Sequence, residues 1–236
     1  MNVAIIPARG GSKRIPRKNI KNFCGLPMIA HTIKTAVESQ IFDHIIVSTD
    51  DKEIAEVAAK YGATVPFMRP AELSDDFIGT VPVIAHAVDW LLQQGHAVSA
   101  ACCIYATAPF VQKEDLISGL DILQKNALDY AFSVTSYAFP IQRALKIDSK
   151  GEIAMFSPEH YGTRSQDLTE AYHDAGQFYW GTAEAWLNNK PIFLSRSAPV
   201  ILPRKRVQDI DTLEDWERAE QLYHLLKEEE KCSPEK

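Results

Sequence analysis

The densest group of residues able to do chemistry lies at the start of the chain, in VAIIPARGGSKRIPRKN of residues 3–19. An apolar run leads there into a turn with Gly10 and Gly11 and five basic side chains: Arg9, Lys13, Arg14, Arg17 and Lys18. Glycine allows unusual torsions and close backbone approach, so successive N–H groups can point at an anion. The combination predicts a polyphosphate site, and the alternative is a solvated basic turn. Neither GxxxxGK[ST] nor GxGxxG is present.

A pair of acidic residues near the other end of the chain is the second chemical feature. Asp209 and Asp211 are two apart in VQDIDT, and an extended backbone would place both carboxylates on one face. Such a pair suits Mg²⁺, which takes few protein ligands and shares the rest of its shell with water and phosphate oxygens. The alternative is a helix cap formed by Asp211 or Thr212, with Glu214 or Asp215 in the first turn.

The overall composition limits where the positive charge can act. The chain has 236 residues and a formal net charge of -6, which argues against a general surface for nucleic acid or anionic membrane. The basic charge must therefore be local. The four cysteines show no metal-binding spacing, and we expect them to be reduced packing residues. No apolar run approaches the roughly 18 residues that span a bilayer and the N-terminus is too short for a secretory signal, so we expect a cytoplasmic protein.

Strand-like and helix-like stretches alternate along the chain and must position these residues. Apolar runs predict strands at 3–8, 44–50, 64–67, 100–106 and 130–136, and helical spacing predicts helices at 27–39, 52–60, 83–92 and 116–123. Continuous apolar strands separated by helices require a sheet covered on both faces. We therefore predict a three-layer α/β/α fold with a mainly parallel sheet. Its ligands would bind beyond the carboxyl ends of the strands, where the basic turn follows strand one.

The alternation breaks between residues 137 and 176, where prolines and glycines lie among polar and aromatic residues. It resumes at QFYWG and ends with an apolar stripe on a helix from about Thr212 to Lys227. We therefore predict one domain over residues 1–228, with an irregular insertion or arm at about 138–176. Residues 229–236 are predicted to form a flexible tail.

Several motifs in order resemble one enzyme family. IIPARGGSKRIPRKNI, GLPMIAHTI, IIVSTDDKEIAEVAAKYGA, RPAELSDD and QDIDTLEDW are similar to motifs of the CMP-sialic acid synthetase (acylneuraminate cytidylyltransferase) family, over most of residues 1–223. CCIYATAPF and HDAGQFYWG resemble the branch that activates pseudaminic acid for bacterial surface glycans. The resemblance implies a Rossmann-like sheet of the nucleotide-diphospho-sugar transferase type. It also implies the reaction of CTP with an acidic nine-carbon (nonulosonic) sugar to give a CMP-sugar and pyrophosphate.

The resemblance also implies roles for the nucleotide and metal residues. The nucleotide would contact Ala8, Arg9, Gly10, Gly11, Ser12, Lys13, Lys18, Asn19, Arg69 and Thr80. Arg9, Lys13, Lys18 and Asp211 would be catalytic, and Asp209 with Asp211 would hold Mg²⁺. Without the resemblance, Arg69 could equally be a surface residue. Asp75 and Asp76 could equally cap the following helix.

The sugar residues implied by the resemblance come from the middle of the chain: Tyr105, Thr107, Arg143, Arg164, His173, Gln177 and Tyr179. Arg164 matches an arginine of the family. Arg143 is a weaker match, because the basic position of the family corresponds here to Gln142. A guanidinium would bind the sugar carboxylate through two hydrogen bonds. His173 could be a general base or a structural residue. Sialic acid enzymes usually carry Gln where Tyr105 stands, so this departure favours a relative of sialic acid.

An arm of this kind crosses to a second subunit in the family, so we expect a homodimer. Three other functions remain as alternatives. The sugar could be sialic, legionaminic or 3-deoxy-manno-octulosonic acid. The chain could be a non-catalytic CTP sensor, although a metal pair and two loop lysines exceed what sensing needs. A dehydrogenase is disfavoured because the glycine fingerprint is missing.

Overall fold

The computed structural model describes residues 1–232, and ten strands and six helices lie within them. The strands are β1 (Asn2–Pro7), β2 (Asn22–Phe23), β3 (Leu26–Pro27), β4 (His44–Ser48), β5 (Ala100–Ile104), β6 (Tyr130–Ser136), β7 (Leu145–Ile147), β8 (Ile153–Met155), β9 (Tyr172–Thr182) and β10 (Ser197–Ile201). The helices are α1 (Met28–Ser39), α2 (Lys52–Lys60), α3 (Thr80–Gln93), α4 (Lys113–Lys125), α5 (Ala183–Leu187) and α6 (Leu213–Cys232).

Six strands form the central sheet in the order β10-β6-β9-β5-β1-β4. β1 is parallel to β4 and β5, and β6 is parallel to β10. β9 lies antiparallel between β5 and β6. The prediction of an α/β fold with a mainly parallel sheet is confirmed. β9 runs the other way because it returns from the arm directly beside β6, without a crossover helix.

Helices cover both faces of this sheet, as the continuous apolar strands predict. Alternate β1 residues point to opposite sides, so Ala4 and Ile6 pack with α1, α2 and α4, while Val3 and Ile5 pack with α3 and α5. The adjacent Cys102 and Cys103 divide in the same way between the two cores, and both thiols are free.

A third apolar cluster joins the two ends of the chain over the basic turn. Ile15 and Phe23 from the opening segment pack there with Ile210, Trp216 and Ala219 around the start of α6. This packing brings residues near position 18 beside residues near position 210. Within the predicted stripe of α6, Trp216 and Ala219 are therefore buried and Leu213 is exposed, and the remaining members are half-buried: Leu222, Tyr223 and Leu226.

Several details differ from the predicted elements, and the short pairs β2–β3 and β7–β8 are among the strands that were not predicted. Residues 64–67 form no strand, and the segment 64–68 makes only isolated bridges, between Thr64 and Ile46 and between Met68 and Thr49. β10 was not predicted because its sequence contains Pro199, which an edge strand tolerates. The short helix α5 was also missed.

The predicted arm contains the small hairpin β7–β8 and several single turns, but it ends before residue 172, because residues 172–176 already belong to β9 and pair with β6. The predicted tail begins inside α6, and residues 233–236 lie outside the described residues. Within residues 1–232, no helix combines the length and apolar character needed to cross a bilayer.

Candidate active site

A cleft of about 520 Å³ opens where β1 and β5 end and α3 begins. Nine of the predicted site residues line it: Arg9, Ser12, Lys13, Lys18, Asn19, Arg69, Thr80, Tyr105 and Thr107. They come from sequence positions far apart and meet because parallel strands present their carboxyl ends at one edge of the sheet.

Gly10 is needed at the base of this cleft for space, and the expectation of unusual torsions there is wrong. A Cβ on Gly10 would lie 2.7 Å from Asp51 Oδ2, whereas the positive φ values of the opening loop fall at Arg17, Cys24 and Gly25. The Gly10 N–H donates to Asp50 Oδ1 at 2.8 Å, and the Ala8 N–H donates to the Ser48 carbonyl at 2.9 Å. These two amides therefore fix the loop to β4 and the segment that follows it.

Asp76 holds two of the predicted catalytic cations at the mouth of the cleft. Its Oδ1 lies 2.7 Å from Arg9 Nη1, and its Oδ2 lies 2.5 Å from Lys13 Nζ. These hydrogen bonds and charges, chiefly from Lys13, lower the pKa of the Asp76 carboxyl. Asp75 instead accepts the N–H groups of Phe77 and Ile78 in a turn. Neither aspartate caps α3, because its N-cap is Gly79.

Lys18 meets Asp211 across 193 residues of sequence. Its Nζ donates to the Ile210 carbonyl at 2.7 Å and lies 3.3 Å from Asp211 Oδ1. Arg14 Nη2 contacts the same Asp211 oxygen at 2.9 Å. Only 19% of the Lys18 side chain is exposed, so its ammonium group is held at a defined position.

The cap of α6 is formed without the Asp211 carboxylate. Asp209 and Asp211 are not among the residues that line the cleft, but the Asp211 carboxylate contacts two residues that are, Arg14 and Lys18. Thr212 Oγ1 accepts the Asp215 N–H at 3.2 Å, and Asp215 Oδ2 accepts the Thr212 N–H at 2.8 Å. This reciprocal pair is a capping box. The predicted alternative of a cap at Thr212 is therefore correct for that residue and excludes Asp211.

The acidic pair fits a divalent cation. Burial, followed by the negative charge of Asp211, raises the pKa of the Asp209 carboxyl. Arg14 and Lys18 contact Asp211 and not Asp209, so a cation beside Asp209 would offset its burial and the charge of Asp211. Among the described residues, no group of three His, Cys, Asp or Glu side chains could hold a metal. The pair therefore suits an ion such as Mg²⁺ that completes its shell with phosphate oxygens and water.

Arg17 differs from its neighbours because it points away from the cleft. It has φ 55°, and its guanidinium contacts Asp51 at 2.5 Å as well as Glu53 at the start of α2. The Arg17 hydrogen bond lowers the pKa of the Asp51 carboxyl, which also caps α2 by accepting the Ile54 N–H. Arg17 thus fastens the loop to α2. The basic turn predicts Arg17 among the cleft cations, and the signal against that prediction is Asp51 at the N-cap position of α2.

Asn19 and Arg69 are buried and support the floor of the site. Asn19 Nδ2 donates to the Arg9 carbonyl at 2.9 Å. Arg69 donates to the Ser48 hydroxyl at 3.1 Å and to the Ser48 carbonyl, and among the described residues it forms no salt bridge. Burial lowers the pKa of its guanidinium. The alternative of an exposed Arg69 is therefore wrong.

The far wall of the cleft carries hydroxyl groups. Thr80 Oγ1 and Tyr105 Oη are 2.8 Å apart, and the Tyr105 ring lies 5.4 Å from that of Tyr179. Tyr179 Oη donates to Asp174 Oδ2 at 2.6 Å. The register between β6 and β9 shifts at this point, between the pairs of Phe132 and Val134. Such a bulge redirects side chains beside many active sites.

The remaining predicted sugar residues do not line the cleft. Arg143 and Arg164 bond within the arm, to the Thr163 carbonyl at 3.0 Å and to Asp167 at 2.7 Å. His173 Nδ1 lies 2.9 Å from its neighbour's carbonyl. Gln177 is buried, donates to the Arg206 carbonyl at 2.5 Å, and leaves its Oε1 without a partner among the described residues.

Comparisons with known proteins agree with this geometry. The family model for cytidylyltransferases matches residues 3–232. The chain is 47% identical to a pseudaminic acid cytidylyltransferase of Campylobacter jejuni, over 95% of this chain and 97% of the relative. It is 34% identical to CMP-N,N'-diacetyllegionaminic acid synthase of Legionella pneumophila, over 96% of this chain and 97% of the relative.

A solved structure has the same fold. It is CMP:2-keto-3-deoxy-manno-octonic acid synthetase complexed with CTP, with a TM-score of 0.69 and 17% identity, covering 95% of this chain and 98% of that one.

Proposed function

The chain belongs to the cytidylyltransferase family, and from this premise we propose that it transfers the cytidylyl group of CTP to pseudaminic acid. The products are CMP-pseudaminic acid and pyrophosphate. The observation that carries the proposal is that Arg14 and Lys18, which line the cleft, both contact Asp211. The substrate follows from the named relatives and from Tyr105, which stands where sialic acid enzymes carry Gln.

The reaction forms a bond between the anomeric oxygen of the sugar and the α-phosphorus of CTP. The bond from that phosphorus to the β-phosphate oxygen breaks, pyrophosphate leaves, and the anomeric hydroxyl loses its proton. Such a transfer needs alignment of the reactants and positive charge where the leaving group becomes more negative. Lys18 is suited to that role because the Ile210 carbonyl and Asp211 already hold its ammonium group. Arg9 and Lys13 would bind the outer phosphates.

Asp209 and Asp211 would hold Mg²⁺ beside these cations. The ion would neutralise phosphate charge and help to orient the triphosphate. Positive charge there would also offset the burial and the repulsion from Asp211 that raise the pKa of Asp209.

The sugar carboxylate would be bound by Arg164 and Arg143 in the assembled enzyme. Both side chains lie in the arm, outside the cleft of their own chain, so the proposal includes a homodimer in which the arm reaches the partner's cleft. Since the reaction consumes CTP, we place it in the cytoplasm.

The test is pyrophosphate release by the full chain with CTP, Mg²⁺ and one acid at a time. We expect turnover with pseudaminic acid to exceed that with sialic, legionaminic or 3-deoxy-manno-octulosonic acid. Turnover with only one of the other acids would reject pseudaminic acid as the substrate. CTP binding by calorimetry without turnover on any acid would identify a sensor.

Asp211→Asn tests the mechanism in the same assay. We expect kcat to fall by roughly a hundredfold or more, because the variant weakens both the metal pair and the contact to Lys18. Asp121→Asn is the matched control, since within residues 1–232 Asp121 pairs only with Lys125 on the surface of α4. Unchanged turnover of Asp211→Asn would contradict the proposed role of the acidic pair.

A further inference from the structure

Arg206 begins the segment that carries the acidic pair, and its side chain is bonded inside the protein. Its Nη1 lies 2.5 Å from Asp115 Oδ2, and its Nη2 donates to Asp115 Oδ1 at 3.0 Å. Only 11% of the Arg206 side chain and 12% of the Asp115 side chain are exposed, so this is the most buried ion pair within residues 1–232. The two parallel hydrogen bonds fix the orientation of the guanidinium as well as its position.

The main chain of Arg206 is also bonded to the rest of the fold. The Gln177 side-chain amide donates to the Arg206 carbonyl at 2.5 Å, and the Gln177 carbonyl accepts the Tyr105 N–H at 2.9 Å. Asp115 belongs to the first turn of α4, where it accepts the Gln112 N–H at 3.1 Å. Arg206 is therefore connected to α4 and to β9 at the same time.

The other end of the segment is held beside the basic turn. Ile210 is buried in the third apolar cluster, and its carbonyl accepts a hydrogen bond from the Lys18 ammonium group at 2.7 Å. Asp209 lies between these two ends, and among the described residues its carboxylate forms no salt bridge. The position of the Asp209 side chain is therefore set by the backbone on either side of it, which Arg206 and Ile210 hold.

A buried ion pair contributes little to stability by comparison with apolar packing. The cost of removing two charges from water is about as large as their attraction, and apolar residues of similar volume often stabilise a protein as well or better. The paired hydrogen bonds of Arg206 and Asp115 instead provide a defined geometry. That geometry is imposed three residues before Asp209.

We propose that the pair of Arg206 and Asp115 positions Asp209 for the divalent cation and thereby sets how much the metal contributes to CTP binding. Both are positioning residues, because neither lines the cleft. The inference rests on the proposed function and deepens it, since it assigns residues outside the cleft to the metal site. The bond from Gln177 also connects this support to Tyr105, so the acidic pair and the far wall of the cleft are held by the same strand.

The test compares the binding of CTP with and without Mn²⁺, which replaces Mg²⁺ as the probe. Calorimetry is performed on the full chain without any acid, so that no turnover takes place. The ratio of the two dissociation constants gives the enhancement of CTP binding by the metal. The dissociation constant without metal shows whether the rest of the cleft is intact.

Arg206→Met/Asp115→Asn removes the ion pair without leaving one buried charge alone. Asn keeps an oxygen for the Gln112 N–H, so the start of α4 is preserved. We expect the enhancement by Mn²⁺ to fall by about tenfold, the lower end of the loss seen when an outer support of a metal site is removed. The dissociation constant of CTP without metal should stay within about twofold of wild type.

Arg206→Lys examines the same contact with the charge retained, and it replaces the double variant if that variant does not fold. Lysine keeps a cation beside Asp115, but it cannot bond both carboxylate oxygens as a planar guanidinium does. The enhancement by Mn²⁺ should fall by roughly threefold, which is half the effect of the double variant on a free-energy scale.

Lys190→Met/Asp129→Asn is the matched control. This ion pair is also partly buried, with 34% and 21% of the two side chains exposed, and it lies outside the cleft. Its loss should lower the unfolding temperature and leave the enhancement by Mn²⁺ unchanged. The proposal is overturned if the folded Arg206 variants keep the enhancement within about twofold of wild type. It is also overturned if they weaken CTP binding equally with and without Mn²⁺, as a general structural role would.

The wild-type protein separates this inference from the proposed function. If its affinity for CTP does not respond to Mn²⁺, both the proposed metal site and this inference are wrong. If Mn²⁺ enhances CTP binding but no acid is turned over, only the proposed reaction is contradicted, and the variants still decide whether Arg206 positions the metal site.

Discussion

Lys18 and Lys13 belong to one loop, yet the structure holds their charges differently. The Lys18 side chain is 19% exposed and bonded to the Ile210 carbonyl, whereas that of Lys13 is 79% exposed and paired only with Asp76. A fixed charge aimed at the leaving group lowers a barrier more than a mobile one does. We expect Lys18→Met to reduce kcat by about a hundredfold, which is about 3 kcal/mol, and Lys13→Met to reduce it less. Steady-state pyrophosphate release gives both numbers.

Lys21→Met is the control for the loss of a loop charge. Lys21 lies 4.5 Å above the Trp216 ring and outside the cleft, so its replacement should leave kcat unchanged. Equal losses for Lys13→Met and Lys18→Met would show that burial of the ammonium group does not decide its role.

Residue types predicted the chemistry of the site better than the direction of individual side chains. Arg17 and Lys18 are adjacent and both basic, but the left-handed φ of Arg17 sends its guanidinium to α2. That torsion cannot be predicted from the sequence, because arginine rarely adopts a positive φ. The pairing of Lys18 with Asp211 likewise depends on how α6 packs over the loop, which residue spacing cannot reveal.

At the scale of elements, His31 joins helix α1 to the segment β2–β3. Its Nε2 lies 2.9 Å from the Phe23 carbonyl, and its ring packs edge-on against Phe23 and Tyr223. Burial, and to a lesser extent nearby Lys34 and Lys227, lowers the pKa of His31 below its ordinary value of 6.5. The folded protein therefore holds His31 neutral at a pH where the unfolded chain already binds a proton.

The sign of the resulting pH dependence follows from this shift. Because the unfolded state binds more protons, the free energy of unfolding must fall as the pH falls from 6.5 toward the folded pKa. We expect His31→Gln, which keeps a side-chain donor, to reduce the slope of that free energy between about pH 5 and 7. Urea unfolding at each pH measures the free energy of unfolding and therefore its slope with pH. His96→Gln, in the loop after α3, is the control, and an unchanged slope for His31→Gln would contradict the assignment.

Whether a segment is a strand or a helix was predictable where its apolar pattern was long. The direction in which a strand runs in the sheet was not predictable. The alternation of β1, β4, β5 and β6 with α1 to α4 follows from apolar runs and helical spacing, whereas β9 reads like its parallel neighbours. Its reversal is decided by the connection, since a chain that returns from the arm lies beside β6 without a crossover. Residues 64–67 were misassigned because Val65 and Phe67 pack against the two cores without forming a ladder, and Pro66 cannot donate to one.

At the scale of the whole molecule, segments from both ends of the chain contribute to the site. The arm contributes no residue to the cleft of its own chain. The third apolar cluster joins residues near 15 and 23 to α6 and thereby delivers Asp211 to Lys18. The arm instead exposes a series of large apolar side chains: Phe139, Leu145, Ile147, Ile153, Phe156 and Tyr161. An exposed surface of this kind typically marks a protein–protein contact. The sequence indicated the arm because the alternation of strands and helices is interrupted there, but it could not show which side chains the arm exposes.

The proposed dimer predicts that charge on the arm separates the subunits. Ile147 and Ile153 are paired across the hairpin β7–β8 and are 75% and 70% exposed. Their replacement in Ile147→Asp/Ile153→Asp should produce monomers, because burying two unpaired carboxylates in an interface costs several kcal/mol. Sedimentation velocity measures the mass. Since Arg143 and Arg164 lie in the same arm, the KM of the sugar should rise at the same time, while the affinity for CTP stays close to wild type.

Leu225→Asp is the control for adding charge to an exposed apolar position, because Leu225 lies on α6 outside the arm. That variant should retain the wild-type mass and turnover. A double arm variant that remains dimeric would place the interface elsewhere on the molecule. A monomeric variant with an unchanged KM for the sugar would show that each cleft is complete within its own chain, and the sugar carboxylate would then have to be bound by cations that line the cleft itself.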